Sequence, residues 1–252
     1  MDINDFAKYP LYKSIIELNE EMERRNIPPI ELNVVGGFAL MIHKMRNRND
    51  NSTDIDYVGP SLSQEIKNIT NEISVKNNLV KDWLNNDLML TGSTLEDIEF
   101  STGRLTFNPA FELSRIKINV ATLESMIKLK VIAIDTALTA VDNSGDFSRY
   151  KDFADIIKLM KKTGLGYDDI GKMLDGYIIN PNTLSVIKEY EKSGREGVEI
   201  KILLLQREAL DNKIKIMSGE AKESKTYVRS SFTEDLLNNL ITKSKEKNYD
   251  SR

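Results

Sequence analysis

The chain has 252 residues, of which 40% are hydrophobic and 29% charged, enough apolar material for a large core and too much for wholesale disorder. It has no cysteine and a single histidine, which excludes structural disulfides, thiolate metal sites and histidine-rich zinc centres; any metal would be held by oxygen. The net charge of −4 gives no global attraction to nucleic acid. No apolar run reaches the roughly 18 to 20 residues of a membrane span, and the start, with Asp2 and Asp5, lacks a basic region followed by an apolar run. A cytoplasmic protein with no membrane partner is expected.

In chain order, Ile15, Leu18 and Met22 fall at helical spacing within 11–25, a segment stopped by Pro28 and Pro29. The run Ile30 to Val35 is β-branched and apolar and ends on Gly36 and Gly37. Beyond it Phe38, Met41, Ile42 and Met45 recur at i, i+3, i+4 and i+7, so the pattern is strand, glycine turn, helix. A polar loop over 47–52 leads to a short strand over 53–58, and the pair Ser61 and Gln64 predicts a capping box for a helix running past Ile73. Turns and strands fill 83–120, with the clearest strand at 115–120, where Ile116, Ile118 and Val120 share one face.

Beyond Thr122 the pattern is helical. Leu123, Ile127, Val131, Ile134 and Leu138 mark one long helix, and Phe153, Ile156, Ile157 and Met160 mark another. Further helices are predicted over 168–177, 184–191 and 198–217, with a last one capped by Ser231 and Glu234. The predicted class is α+β: a mixed sheet flanked by helices over 1–122, then a helical lobe over 123–252.

The chemistry concentrates between Gly36 and Asp56. On a strand the side-chain period is two, so Asp54 and Asp56 project from one face with Cα atoms roughly 6 to 7 Å apart, close enough to share a divalent ion. Gly36 and Gly37 permit a tight turn and close backbone approach, so the amides that follow can hold phosphate oxygens. A glycine pair alone is an ordinary turn, and an Asp-x-Asp alone is ordinary solvated surface. Their succession in strand, turn, helix, loop, strand order, about 17 positions apart, is far more specific.

The run VVGGFALMIHKMRNRNDNSTDIDYV, residues 34–58, resembles the first motif of the nucleotidyltransferase superfamily, in particular the bacterial branch of AbiEii-type abortive-infection toxins and related small nucleotidyltransferases. In that branch a glycine turn precedes an Arg-x-Thr-x-Asp-x-Asp-like stretch; here Thr53 precedes Asp54, and either Arg46 or Arg48 stands for the arginine. TLESMIKLKVIAI resembles a later family helix, placing Glu124 and Lys130 on matching positions. RYKDFADIIKLM resembles another, matching Lys151, Asp152 and Asp155. The resemblance spans 30–162 and implies a nucleotidyltransferase-like core and an enzyme that moves an NMP group from an NTP, with Mg²⁺ or Mn²⁺, to a hydroxyl of an RNA such as tRNA or of a protein.

It further implies an abortive-infection or toxin–antitoxin setting with a cognate antitoxin as partner. Catalytic roles fall on Asp54, Asp56 and Lys130, nucleotide contacts on Gly36, Gly37, Thr53, Lys130 and Lys151, and metal ligation on Asp54, Asp56 and Asn119. Bland alternatives stand beside these: Lys151 and Asp155, four apart, pair on a helix face, and Asp152 and Asp155 anchor the lobe by buried hydrogen bonds. His43 reads as a polar-face residue and Trp83 as packing.

One departure matters. Superfamily members carry a third carboxylate on a later strand, and Asn119 occupies that place in RIKINV. An amide oxygen can ligate a cation but cannot act as a general base. Asp97, Glu99 or Glu112 would then substitute, or two acids suffice, or the domain binds nucleotide without turnover as a sensor or docking module. A small-molecule acceptor, as in antibiotic-resistance nucleotidyltransferases, is the remaining alternative.

Overall fold

A computed structural model of the chain describes residues 10–46, 52–86, 105–139, 149–174 and 182–218. The class is α+β: among the described residues, seven helices accompany a five-stranded mixed sheet. Two compact units divide the chain, one of residues 1–128 with 158–164 and the other of 129–157 with 165–252. The change in pattern at residue 122 falls at the start of a helix whose opening the first unit keeps.

In the first unit, α1 (Pro10–Arg24) buries Leu11, Ile15, Leu18 and Met22, the stripe its spacing predicts. Strand β1 (Ile30–Val34) leads into α2 (Gly36–Ile42), a helix that stops before Met45 because Lys44 turns left-handed (φ 57°) and the Met45 amide bonds back to the Leu40 carbonyl at 2.8 Å. Strand β2 (Ile55–Val58) follows, shorter than expected by Thr53 and Asp54. Helix α3 (Gln64–Asn77) is capped by Ser63 rather than by Ser61, the Ser63 hydroxyl accepting from the Ile66 amide at 3.3 Å. The short β3 (Leu84–Asn85), then β4 (Phe107–Glu112) and β5 (Ile116–Ala121), complete the sheet.

The strand order is β3-β2-β1-β5-β4. At its centre β1 runs antiparallel to β2, with Asn33 opposite Val58, and parallel to β5, with Asn33 opposite Asn119. Period-two alternation therefore sorts the residues. Leu32, Val34, Ile55, Tyr57, Ile116, Ile118 and Val120 lie on one face and are buried, while Glu31, Asn33, Asp56, Lys117 and Asn119 lie on the other. Side chains on α1 and α3 tie those helices together: the Asn77 amide donates to the Ser14 hydroxyl at 3.0 Å, and Arg25 meets Glu72 at 2.8 Å.

Trp83 fixes the outer edge beside β2. It is fully buried, its indole N–H donates to the Thr70 carbonyl on α3 at 2.9 Å, and its own carbonyl accepts from the Ile55 amide at 2.6 Å. The packing role expected of it is what the structure shows.

The second unit is helical. It takes in the rest of α4 (Leu123–Thr139), the first part of α5 (Tyr150–Thr163), then α6 (Tyr167–Met173) and α7 (Thr183–Met217), which is broken at Gly194 between the two helices that the sequence predicts. Phe153 stacks on Tyr190 with ring centroids 5.2 Å apart, and the Thr183 hydroxyl donates to Asp135 at 2.5 Å. The helix expected after Ser231 lies outside the described residues; among the described residues no helix is long and apolar enough to cross a membrane.

Replacing Trp83 by phenylalanine removes the indole hydrogen bond and leaves a void beside α3, for a loss of roughly 2 kcal/mol. Urea unfolding is expected to show that loss, whereas Val75→Ala at an 85%-exposed position should stay within about 0.5 kcal/mol of the parent. Equal stabilities for the two variants would contradict this packing of Trp83.

Candidate functional site

The strand β1 hands the chain to α2 through two residues. Val35 is extended (φ −130°, ψ −164°), and Gly36 is left-handed (φ 65°), a conformation that costs a residue with a Cβ roughly 1 to 2 kcal/mol. The Val35 amide donates to the Asp56 carbonyl at 2.9 Å, so the turn is hydrogen-bonded to β2 at the acid itself.

Both glycines are crowded by side chains. A Cβ on Gly36 would stand 3.1 Å from the Asp56 Cγ and closer still to its Oδ2. One on Gly37 would stand 2.8 Å from the Arg46 Nη1 and would overlap the Ser52 Oγ. Gly36 answers the backbone direction, and at both positions side chains fill the space a Cβ would take: an acid at Gly36, and a cation with a hydroxyl at Gly37.

Asp54 stands on the bend immediately before β2 instead of on the strand, half-buried like Asp56, and its Oδ1 accepts from the Ser52 hydroxyl at 3.2 Å. Thr53 is exposed between them and the loop. The structure thus brings Gly36, Gly37, Asp54 and Asp56 together, with Arg46 against Gly37; Arg48 lies outside the described residues. Ser52 was missed from the sequence, and so was the packing on Gly37 of Arg46, a residue named there. Ser52 carried no signal beyond belonging to a polar loop, and the packing of Arg46 on Gly37 depends on the chain reversal at Lys44.

Asn119 shares the sheet face of Asp56 but is register-paired with Asn33, two residues along from the turn. It is buried, and its amide nitrogen donates to Glu31 at 2.5 Å and to Asn33 at 2.9 Å. The hydrogen bond from Asn119 to Glu31, and the Lys117 ammonium at 3.2 Å, hold the Glu31 carboxyl below the usual glutamate range. Glu31 and Asn33 were legible as polar positions alternating with Leu32 and Val34, yet were not singled out. Glu112 ends β4 opposite Lys117, and Asp97 and Glu99 lie outside the described residues.

As donors for a cation, Asp54 and Asp56 offer two hard carboxylates, which suit Mg²⁺ or Mn²⁺. Among the described residues no three of His, Cys, Asp and Glu come together, and the His43 Nε2 lies 2.7 Å from the Ala121 carbonyl.

In the second unit Lys130 is buried between two acids, its Nζ 2.7 Å from Asp152 and 2.8 Å from Asp155. The two carboxylates pin the end of its side chain and link α4 to α5. Lys151 is exposed on α5.

No family model, curated protein or solved structure matches the chain.

The crowding at Gly36 is separable from its backbone strain. Gly164 is also left-handed (φ 74°), but a Cβ there would meet nothing within 4 Å. Gly164→Ala should therefore lose only about 1 kcal/mol, and Gly36→Ala should lose roughly 1 to 3 kcal/mol more because Asp56 must move. Equal losses in urea unfolding would mean that the Asp56 carboxylate does not rest on the turn.

Proposed function

We propose that the chain is a metal-dependent nucleotidyltransferase with a nucleotidyltransferase-like core, moving an NMP group from an NTP to a hydroxyl of an RNA, tRNA-like in shape, or of a protein. The observation that carries this is the Asp56 carboxylate seated against Gly36, where a strand-to-helix turn is hydrogen-bonded to the strand bearing the acid. The resemblance of residues 34–58 to the superfamily's first motif supports the same assignment.

In the transfer, the acceptor hydroxyl oxygen bonds to the α-phosphorus, the bridging bond to the β-phosphate breaks, and pyrophosphate leaves with the electron pair while the hydroxyl proton passes to solvent. Little covalent work falls to the protein, so positioning and charge dominate. Mg²⁺ or Mn²⁺ would be held by Asp54 and Asp56 and would supply charge neutralisation at the triphosphate. The chain's own residues set the rest: Gly36 lets Asp56 lie against the turn, and Ser52 holds the orientation of Asp54. The roles of Lys130, Lys151 and Thr53 at the phosphates come from the resemblance alone, and Lys130 has a second role in joining α4 to α5.

A second reading is favoured by one observation. Asn119 cannot accept a proton, and its amide nitrogen is committed to Glu31 and Asn33. A chain built so would bind nucleotide and not turn it over.

Incubation of the protein with each α-³²P-labelled NTP, Mg²⁺ and total RNA or cell protein separates the two. Transfer of label to RNA or protein, reduced at least a hundredfold in Asp54→Ala, is the expected result. Binding of NTP without any transfer would leave the docking module, and absence of both would overturn the assignment.

A further inference from the structure

We propose that residues 231–245 of this chain dock as an amphipathic helix, antiparallel along α7, on an apolar face that the described residues leave open. Beyond the break at Gly194, α7 is apolar on two sides. Val198 and Ile202 are buried on one side, while Ile200, Leu203, Leu204 and Ile214 are each at least 50% exposed on the other. At about 100° per residue those four fall in a single arc opposite Val198. A helix apolar all round belongs in an interior, and a contiguous exposed apolar face is a place where something docks.

The rest of the chain supplies the occupant. Past Ser218, the last described residue, the sequence continues to Arg252. Phe232, Leu236, Leu237, Leu240 and Ile241 recur there at helical spacing behind the cap signal of Ser231 and Glu234, with Asp235, Asn238 and Thr242 on the opposite arc. Such a segment has one apolar face and needs one cover, whereas α7 has two and lacks one. A second copy of the chain seated on α7 would leave this segment uncovered, and docking within the chain satisfies both.

Reach and charge agree. To start opposite residue 210, the chain must return about 12 Å along α7 and move about 10 Å sideways, and residues 219–230 reach about 40 Å when extended. With Ile241 opposite Ile200, the antiparallel register sets Leu237 opposite Leu204, Glu234 opposite Arg207 and Lys245 opposite Glu196. Arg207, whose contact with Asp211 is loose at 3.9 Å, and Glu196 are both exposed, so each is accessible to the opposite charge. A single register thus matches apolar with apolar and acid with base.

The chain has no cysteine, so introduced pairs report the register without interference. In the full-length protein carrying Leu204→Cys with Leu237→Cys, mild oxidation should close a disulfide within one chain at least about tenfold faster than in Leu204→Cys with Asn238→Cys, whose second thiol lies on the polar side. Circular dichroism identifies any variant that fails to fold. Hydrogen exchange needs no variant: corrected for intrinsic rates, wild-type amides over 236–241 should exchange at least about tenfold more slowly than those over 219–226. Equal closure rates for the two pairs would overturn the proposal, as would exchange over 236–241 at the rate of unstructured peptide. Disulfides formed mainly between two chains would overturn it as well and assign the face to a second copy.

Discussion

A carboxylate resting on a glycine Cα is the constraint from which the first unit's arrangement follows. Asp56 can lie there only because Gly36 has no Cβ, and Gly36 is tolerated there only because the turn needs a left-handed residue. The Val35 amide then closes the turn onto the Asp56 carbonyl, fixing the end of β1 against β2. Were β2 to slip by one residue, Asp56 would move to the opposite face of the sheet and Ile55 or Tyr57 would be driven out of the core. Burial of Ile55, Tyr57 and Trp83 therefore holds the acid in place as firmly as any polar contact does.

Much of this was legible in the sequence, and for identifiable reasons. The strand, turn and helix over 30–42 announce themselves because period two gives way to helical spacing across a glycine pair, and the α1 stripe and β5 face follow from periodicity alone. Element ends were less legible, because local geometry sets them. Lys44 entering a left-handed conformation stops α2 early, Ser63 outcompetes Ser61 as the cap of α3, and Asp54 falls off the strand onto a bend. The acid pair was identified by residue type and spacing, but what the glycines make room for was not, since it depends on where Arg46 and Ser52 return in space.

The polar network on the same sheet face illustrates the limit from the other side. Asn119 drew notice for the charge it lacks, whereas its position is defined by two hydrogen bonds to β1, to Glu31 and Asn33, whose side chains look unremarkable in a short apolar run. In the second unit, Lys130 illustrates how a buried cation is accommodated: two carboxylates from one helix satisfy it, and removal of the lysine would take an ion-pair partner from each of them. Three of the matched motif positions, Lys130, Asp152 and Asp155, are thus partners in one buried ion-pair cluster.

The most direct measurement is a crystal structure of the protein grown with Mn²⁺ and a non-hydrolysable NTP analogue, with anomalous scattering used to locate the metal. An anomalous peak roughly 2.2 Å from carboxylate oxygens of both Asp54 and Asp56, and touching the phosphate chain over Gly36 and Gly37, is the predicted result. A nucleotide bound elsewhere, or a metal that engages neither acid, would contradict it.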